Sequence, residues 1–242
     1  MKGRTYFIAD LHLTDERPAA TGRFFRFLQE EAAGADALYI LGDLFEAWIG
    51  DDHDEQVAHD TARRIKALVD AGTPVYFMHG NRDFMLAARY AARSGMTLLA
   101  DPARVDLYGT PTLLMHGDTL CTDDLAYQAF RGRVRRPWVL ALLRLLPHTL
   151  RRRLAQQARA GSESAKAAKP ADIMDVNAGE VVRVLREQRV GRLIHGHTHR
   201  PAQHVHAVDG HDCTRWVVPD WYARWGYVVC DAAGCALRLE GL

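Results

Sequence analysis

Cysteine is scarce in this chain, and its spacing supplies neither a zinc site nor a disulfide framework. The 242 residues include four cysteines and no C-x-x-C pair. We therefore expect reduced thiols, with disulfide bonds as the less favoured alternative. The cysteines are Cys121, Cys213, Cys230 and Cys235.

The chain also lacks a surplus of charge and a long apolar run. The formal net charge of +1 argues against a protein that binds nucleic acid with its whole surface, although a local basic patch fits that value. No apolar run reaches the roughly 20 residues of a membrane-spanning helix. The sequence enters its first predicted strand directly, so we expect no signal peptide.

Composition and length are those of a globular protein. Hydrophobic residues make up 48% of the chain and charged residues 25%, which is typical of such proteins. The length suits a single α/β domain or a domain with an insertion. Predicted strands and amphipathic helices alternate as far as Ser94. This alternation predicts right-handed crossovers and a largely parallel sheet covered by helices.

Five predicted strands each run into aspartate, asparagine or histidine. A carboxylate at the carboxyl end of a parallel strand projects into the crevice where such sheets bind ligands. Asp43 alone would fit an ordinary turn, but the recurrence of the pattern predicts a metal site. The five strand ends are Asp10-Leu11-His12, Gly42-Asp43, His79-Gly80-Asn81-Arg82-Asp83, His116-Gly117-Asp118 and His195-Gly196-His197-Thr198-His199.

These residue types suit a pair of divalent ions. Ions about 3.5–4 Å apart need a shared ligand, and an aspartate can bridge them with its two oxygens. Imidazole and carboxylate together favour Mn, Fe or Zn over Ca or Mg, and the absence of cysteine argues against a structural zinc site. A neutral asparagine oxygen keeps the site positive enough to attract phosphate. Asp118 either orients a ligand histidine or caps a turn.

The acidic loop from Trp48 to Asp54 offers a second group of carboxylates, together with His53. These side chains resemble metal ligands in type. The favoured interpretation is a solvated loop that leads into a helix with its N-cap near Asp54.

The segment from Arg131 to Lys169 is basic and rich in leucine. It holds eleven Lys or Arg residues and one acid, Glu163. This composition fits a segment that lies on an anionic membrane surface, and it fits equally a pair of solvated helices packed on the domain. Nucleic-acid binding is a third alternative, but Trp138 is the only aromatic residue there for base stacking. Residues 161–170 are predicted to form a loop.

Together, the five strand-end motifs resemble those of the calcineurin-like metallophosphoesterases. The resemblance implies an α/β fold, a two-sheet sandwich with a helical cap insertion. It would form one domain over residues 1–242, with the cap at about 123–170. His195 precedes the matching Gly-His-Thr-His motif and is not a ligand by this comparison. The implied ligands are Asp10, His12, Asp43 and His199 for one metal, and Asp43, Asn81, His116 and His197 for the other.

Longer stretches resemble a branch of that family that cleaves the pyrophosphate of UDP-2,3-diacylglucosamine in lipid A biosynthesis. This implies attack by a metal-bound hydroxide, two Mn²⁺ ions or other divalent ions, and release of UMP and 2,3-diacylglucosamine 1-phosphate. It also implies a cap that holds acyl chains and a peripheral location on the cytoplasmic side of the inner membrane, with no nucleic acid and no obligate protein partner. The stretches are residues 39–52, 79–84, 114–124, 173–177 and 193–201.

The same resemblance implies the roles of individual residues. Cations beside a diphosphate are chemically apt, whereas a plain loop hydroxyl is the alternative for Ser162. The alternative functions are hydrolysis of another phosphodiester and a non-catalytic scaffold, and the complete ligand set argues against the scaffold. The implied catalytic residues are Asp43, Asn81 and His116, and the implied substrate contacts are Asn81, Arg82, Asp124, Ser162, Lys166, Lys169 and His197.

Overall fold

The computed structural model describes residues 3–52, 54–168, 175–222 and 224–240, without the side chains of residues 159–168. These residues form two β-sheets that face each other, with helices on the outside. The two-sheet α/β prediction is therefore confirmed.

The first sheet has six strands in the order β11-β10-β1-β2-β3-β4. Strands β1 to β4 are parallel, as predicted, whereas β10 and β11 extend the sheet by antiparallel pairing. The strands are β1 (Thr5–Ile8), β2 (Ala37–Ile40), β3 (Val75–Met78), β4 (Thr97–Leu99), β10 (Trp225–Asp231) and β11 (Gly234–Glu240). Three helices accompany this part of the chain: α1 (Pro18–Glu30), α2 (Gln56–Asp70) and α3 (Ala88–Ser94).

The second sheet has five strands in the order β5-β6-β7-β9-β8. Its inner face packs on the first sheet through a core that includes Phe7, Tyr39 and Trp216. Helix α7 (Ala178–Gln188) covers the outer face with Val181 and Leu185. The strands are β5 (Ala103–Leu107), β6 (Thr110–Met115), β7 (Arg192–His195), β8 (Ala202–Val208) and β9 (His211–Val217).

The first part of the acidic loop after β2 is anchored to the protein. Trp48 and Ile49 are buried, and Asp51 accepts hydrogen bonds from the backbone N–H groups of Ala87 and Tyr90, each at 2.9 Å. The solvated-loop prediction is therefore wrong for this part, whereas Asp52 and Asp54 are exposed as it expects. Helix α2 takes its N-cap at Glu55, one residue after the predicted position. His53 lies outside the described residues.

Three helices form the predicted insertion: α4 (Leu125–Val134), α5 (Pro137–Leu145) and α6 (His148–Ala168). The loop predicted at 161–170 is wrong as far as Ala168, because α6 continues through this alanine-rich stretch, whose helix propensity is high. Arg151 anchors α6: it is 5% exposed, donates to the carbonyl oxygen of Ile49 and forms an ion pair with Asp52. Among the described residues, no helix is both long and apolar enough to cross a membrane.

Two of the four cysteines form a disulfide bond, so the prediction of four reduced thiols is wrong. Cys230 and Cys235 lie directly opposite each other across β10 and β11, with their Cα atoms 4.0 Å apart. Cys121 and Cys213 are buried and form no disulfide bond with a described residue. Strand register brings the bonded pair together, and cysteine spacing alone does not reveal register.

Trp221 is the largest fully buried side chain and packs edge-on against Phe24 and Phe27. We expect Trp221→Ala to lower the free energy of unfolding by about 3–5 kcal/mol, because the cavity lies in a packed core. Trp138→Ala is the matched control: Trp138 is 63% exposed, so its loss should cost less than about 0.5 kcal/mol. Equal losses of the two variants in guanidinium unfolding would contradict this account of the core.

Candidate metal centre

The predicted metal ligands converge at one edge of the two sheets. Each of them follows a strand, so the parallel neighbours β1, β2 and β3 and the parallel neighbours β6 and β7 deliver their polar side chains to the same place. Asp10 and His12 follow β1, Asp43 follows β2, Asn81 follows β3, His116 follows β6, and His197 and His199 follow β7.

Asp43 lies between the two predicted halves of the centre. Its Oδ2 is 3.9 Å from Nε2 of His12 and 4.0 Å from Nε2 of His116. Among the described residues, two groups could hold a metal ion, one made of Asp10, His12 and His199 and the other of Asp10, Asp43 and His116. The ligand atoms in each group lie within 4.8 Å of one another. Asp10 belongs to both groups and Asp43 lies near a histidine of each, so both carboxylates are placed to be shared by two ions.

The hydrogen bonds of His116 leave a place for a cation. Its Nδ1 donates to the carbonyl oxygen of Leu41 at 2.8 Å, so Nε2 of the neutral ring is an acceptor. That atom faces Oδ1 of Asn81 at 3.2 Å and a carboxylate oxygen of Asp43, which are acceptors too. Burial lowers the pKa of His116, but Asp43 and Asp118 outweigh it and raise the pKa to about 9. The facing acceptors favour a positive charge at Nε2, which a proton supplies in the metal-free ring and a divalent ion would supply in its place.

Buried polar atoms without a hydrogen bond give the same indication on the other side. Among the described residues, Oδ1 of Asp10 and both ring nitrogens of His12 are buried and form no hydrogen bond; the nearest charged group to this Asp10 oxygen is Nε2 of His199, at 3.5 Å. The second oxygen of Asp10 accepts from the backbone N–H of His197 at 2.7 Å, which fixes the carboxylate. Unpaired buried polar atoms are costly. The residues present therefore fit divalent metal ions.

The backbone at these positions is also unusual. Eight non-glycine residues have positive φ, and five of them are predicted ligands. Side chains rarely adopt this conformation, and it concentrates at functional sites. The five are Asp10, His12, Asp43, His197 and His199.

Residues 3–201 match the sequence pattern of the calcineurin-like phosphoesterases. The chain belongs to this family. Two curated relatives carry the name UDP-2,3-diacylglucosamine hydrolase. One, from Enterobacter sp., is 53% identical over 96% of this chain and 97% of its own length. The other, from Salmonella arizonae, is 56% identical over 90% of this chain and 91% of its own length.

The fold also resembles a solved member of the phosphodiesterases. A structure described as a novel archaeal phosphodiesterase has a TM-score of 0.51 and covers 99% of each chain. Its sequence identity is 11%, so it supports the fold alone. The phosphoesterase fold here is thus shared with a distant protein.

Asp83 ties together two of the ligand loops of this phosphoesterase, a role that the sequence analysis missed. Its carboxylate is fully buried and accepts from the backbone N–H groups of Gly80, Leu44 and Asp43, at 2.8, 2.7 and 3.3 Å. Burial, followed by the charge of Asp43, raises the pKa of Asp83. The signal in the sequence was its place in the motif after Asn81.

Asp118 connects the centre to the helical cap. It is fully buried, and its Oδ2 accepts from the hydroxyl of Tyr127 at 2.5 Å and from Nε of Arg131 at 2.7 Å. Nη2 of Arg135 donates to the same oxygen at 3.3 Å and to the carbonyl of Gly80 at 2.8 Å. Asp118 therefore anchors α4. This role differs from both of those predicted from the sequence, which were to orient a ligand histidine or to cap a turn.

Only some of the residues expected to contact the substrate are among those that the structure describes. Arg82 is half-buried, and its Nη1 lies 3.9 Å from Oε1 of Glu46. Asp124 caps α4 by accepting from the backbone N–H of Tyr127. The side chains of Ser162 and Lys166, and all of Lys169, lie outside the described residues.

His195 and Glu46 lie beside the predicted ligands. His195 is fully buried, and its Nδ1 donates to the carbonyl of Gly196 at 2.8 Å. Its ring is in neither of the two groups that could hold a metal. Oε2 of Glu46 lies 3.2 Å from Nδ1 of His12, without hydrogen-bond geometry.

We expect Asp83→Ala to lower the free energy of unfolding by about 3 kcal/mol or more, because three buried N–H groups lose their acceptor. Asp83→Asn keeps one acceptor oxygen and should lose less. Asp70→Ala is the control, since Asp70 is an exposed partner of Lys66 and such pairs contribute little. Urea unfolding measures all three, and similar losses for Asp83→Ala and Asp70→Ala would refute the role of Asp83.

Proposed function

We propose that this protein hydrolyses the pyrophosphate bond of UDP-2,3-diacylglucosamine to UMP and 2,3-diacylglucosamine 1-phosphate. The convergence of the complete motif set at one edge of the sheets carries the proposal. The relatives of that name support the substrate, because they match nearly the whole chain, cap included, at 53% and 56% identity.

The proposed centre holds two divalent ions, with Mn²⁺ as the expected metal. When bound, such ions polarise a phosphoryl oxygen and lower the pKa of water towards neutrality. Asp43 is the proposed shared ligand because of its place between His12 and His116. The remaining proposed ligands are Asp10, His199, Asn81 and His197.

The protein's own residues would position the diphosphate. The backbone N–H of Arg82 donates to Oδ1 of Asp43 at 2.7 Å. Its Nη1 lies 3.9 Å from a carboxylate oxygen of Glu46, whose other oxygen is 3.2 Å from Nδ1 of His12, so the guanidinium lies beside the proposed centre. A guanidinium can bind phosphate oxygens in a bidentate manner and stabilise charge that develops there. Lys166 and Lys169, on the basic segment, are proposed as further cationic contacts.

The cap would receive the acyl chains and contact the membrane. Leu140 and Leu143 of α5 pack on the protein core, whereas seven other large apolar side chains of the cap are exposed in a segment rich in basic residues. This combination suits acyl chains and an anionic lipid surface, and supports a peripheral location at the inner membrane. The exposed side chains are Leu125, Phe130, Trp138, Leu142, Leu145, Leu150 and Leu154.

We expect Mn²⁺-loaded protein to release UMP from UDP-2,3-diacylglucosamine, and Asp43→Ala to reduce kcat at least about a thousandfold, because both proposed metals lose a ligand. Chromatographic detection of UMP measures the reaction. Asp70→Ala serves as the control for an aspartate far from the centre and should keep its activity. Hydrolysis of a generic phosphodiester without UMP release would retain the metal centre and reject this substrate.

We expect Trp138→Ala and Leu142→Ala each to reduce kcat/KM for the diacyl substrate at least about tenfold, because burying a large apolar side chain is worth about 1.5–3 kcal/mol and a tenfold change corresponds to about 1.4 kcal/mol. The same variants should hydrolyse bis(p-nitrophenyl) phosphate at the wild-type rate, since that small diester does not reach the cap. Parallel losses on both substrates would show that the cap does not select lipid.

A further inference from the structure

A basic pocket lies beside the loop that carries His197 and His199. Its volume is about 330 Å³, and it opens between the strands β8 and β9 and Leu239 of β11. It is separate from the groups that could hold a metal. Its polar lining consists of Asp175, Thr198, Arg200, His204, Arg215 and Arg224.

Arg215 is a buried cation without a carboxylate partner among the described residues. Only 6% of it is exposed. Nε donates to Nε2 of His206 at 3.2 Å and Nη1 donates to Nε2 of His195 at 3.1 Å, so its contacts are neutral rings. No bond of Nη2 is found within the described part of the chain. Burial accordingly lowers the pKa of Arg215.

The other charged groups of the pocket compensate this cation only in part: the charge of Asp175 raises the pKa of Arg215, but burial outweighs it. Asp175 already pairs with Arg200 through an Nη1–Oδ2 contact of 2.5 Å. Arg224 is exposed and forms no ion pair with any residue that the structure describes. Three guanidinium groups against one carboxylate leave two positive charges uncompensated in the pocket.

Thr198 is another lining residue of this pocket. Its Oγ1 is buried and has no hydrogen-bond partner among the described residues. A hydroxyl donor and unused guanidinium N–H groups together suit a ligand that is rich in acceptor oxygens. Such a ligand would also remove the cost of the buried, unpaired charge on Arg215.

We propose that this pocket binds a phosphate group, held chiefly by Arg215 and Arg224. A phosphate dianion matches the two uncompensated charges, and a guanidinium binds its oxygens in a bidentate manner. The ligand is either a free phosphate or the phosphate of a lipid headgroup, since both present phosphoryl oxygens that accept from a guanidinium; the headgroup diester carries one negative charge and the free ion up to two at neutral pH. The site is distinct from the proposed catalytic centre and does not depend on the substrate assigned there.

Equilibrium dialysis of the metal-loaded protein against radiolabelled inorganic phosphate tests the proposal. We expect one phosphate per chain above the amount that the metal centre takes up. Arg215→Met should remove it, and Arg224→Ala should weaken it about tenfold, as for one lost charge-assisted interaction. Arg238→Ala, an exposed arginine on β11, is the matched control and should bind like wild type.

The variants also identify the source of the phosphate. Flotation with phosphatidylglycerol vesicles should capture Arg224→Ala less than Arg238→Ala if the ligand is a headgroup, and both equally if it is a free phosphate. Arg224→Ala, at an exposed position, keeps the test valid if Arg215→Met fails to fold by circular dichroism. Identical phosphate binding by wild type, Arg224→Ala and Arg238→Ala would overturn the proposal.

Discussion

Four buried carboxylates at the ends of the strands impose the main electrostatic constraint on this protein. Asp10, Asp43, Asp83 and Asp118 are each at most 2% exposed, and such groups are stable only with compensating donors or charges. Asp83 has backbone N–H groups, and Asp118 has a hydroxyl and two arginines. Asp10 and Asp43 each accept one backbone N–H and otherwise face histidine rings. Asp83 and Asp118 are thus compensated by donors and cations of the protein, whereas a cation bound among the histidines would compensate Asp10 and Asp43 further.

The strand ends were predictable from the sequence because each apolar run stops at a polar motif, and parallel strands bring such motifs together. The two-sheet architecture followed from the same motifs through the family resemblance. The hydrogen bonds of Asp83 were not predictable in this way, because two of its donors, the backbone N–H groups of Leu44 and Asp43, lie 39 and 40 residues earlier in the chain. The disulfide was missed for a related reason: hairpin register, which sets Cys230 against Cys235, is not a property of spacing alone.

Composition identified the cap segment as basic and rich in leucine but did not show which of its charged side chains are buried. A basic, leucine-rich segment fits both a membrane-bound and a packed helix pair, and the structure contains features of each. Arg151 is buried and holds α6 to the loop after β2, while Trp138 and Leu145 stay exposed. The same residue type thus serves as an internal anchor at one position and as a surface charge at another. Long-range contacts decide which.

Asp118 and Arg135 hold both the cap and the ligand loops of the proposed centre, which would couple the position of the cap to the geometry of the centre. Arg135 binds both Asp118 and the carbonyl of Gly80, the residue before the proposed ligand Asn81. Asp118 itself follows His116 by two residues, and it holds α4 through Tyr127 and Arg131. Because packed and hydrogen-bonded elements move as units, a displacement of α4 would be transmitted to both ligand loops. A lipid that positions the cap would therefore also set the geometry of the residues that receive its phosphate.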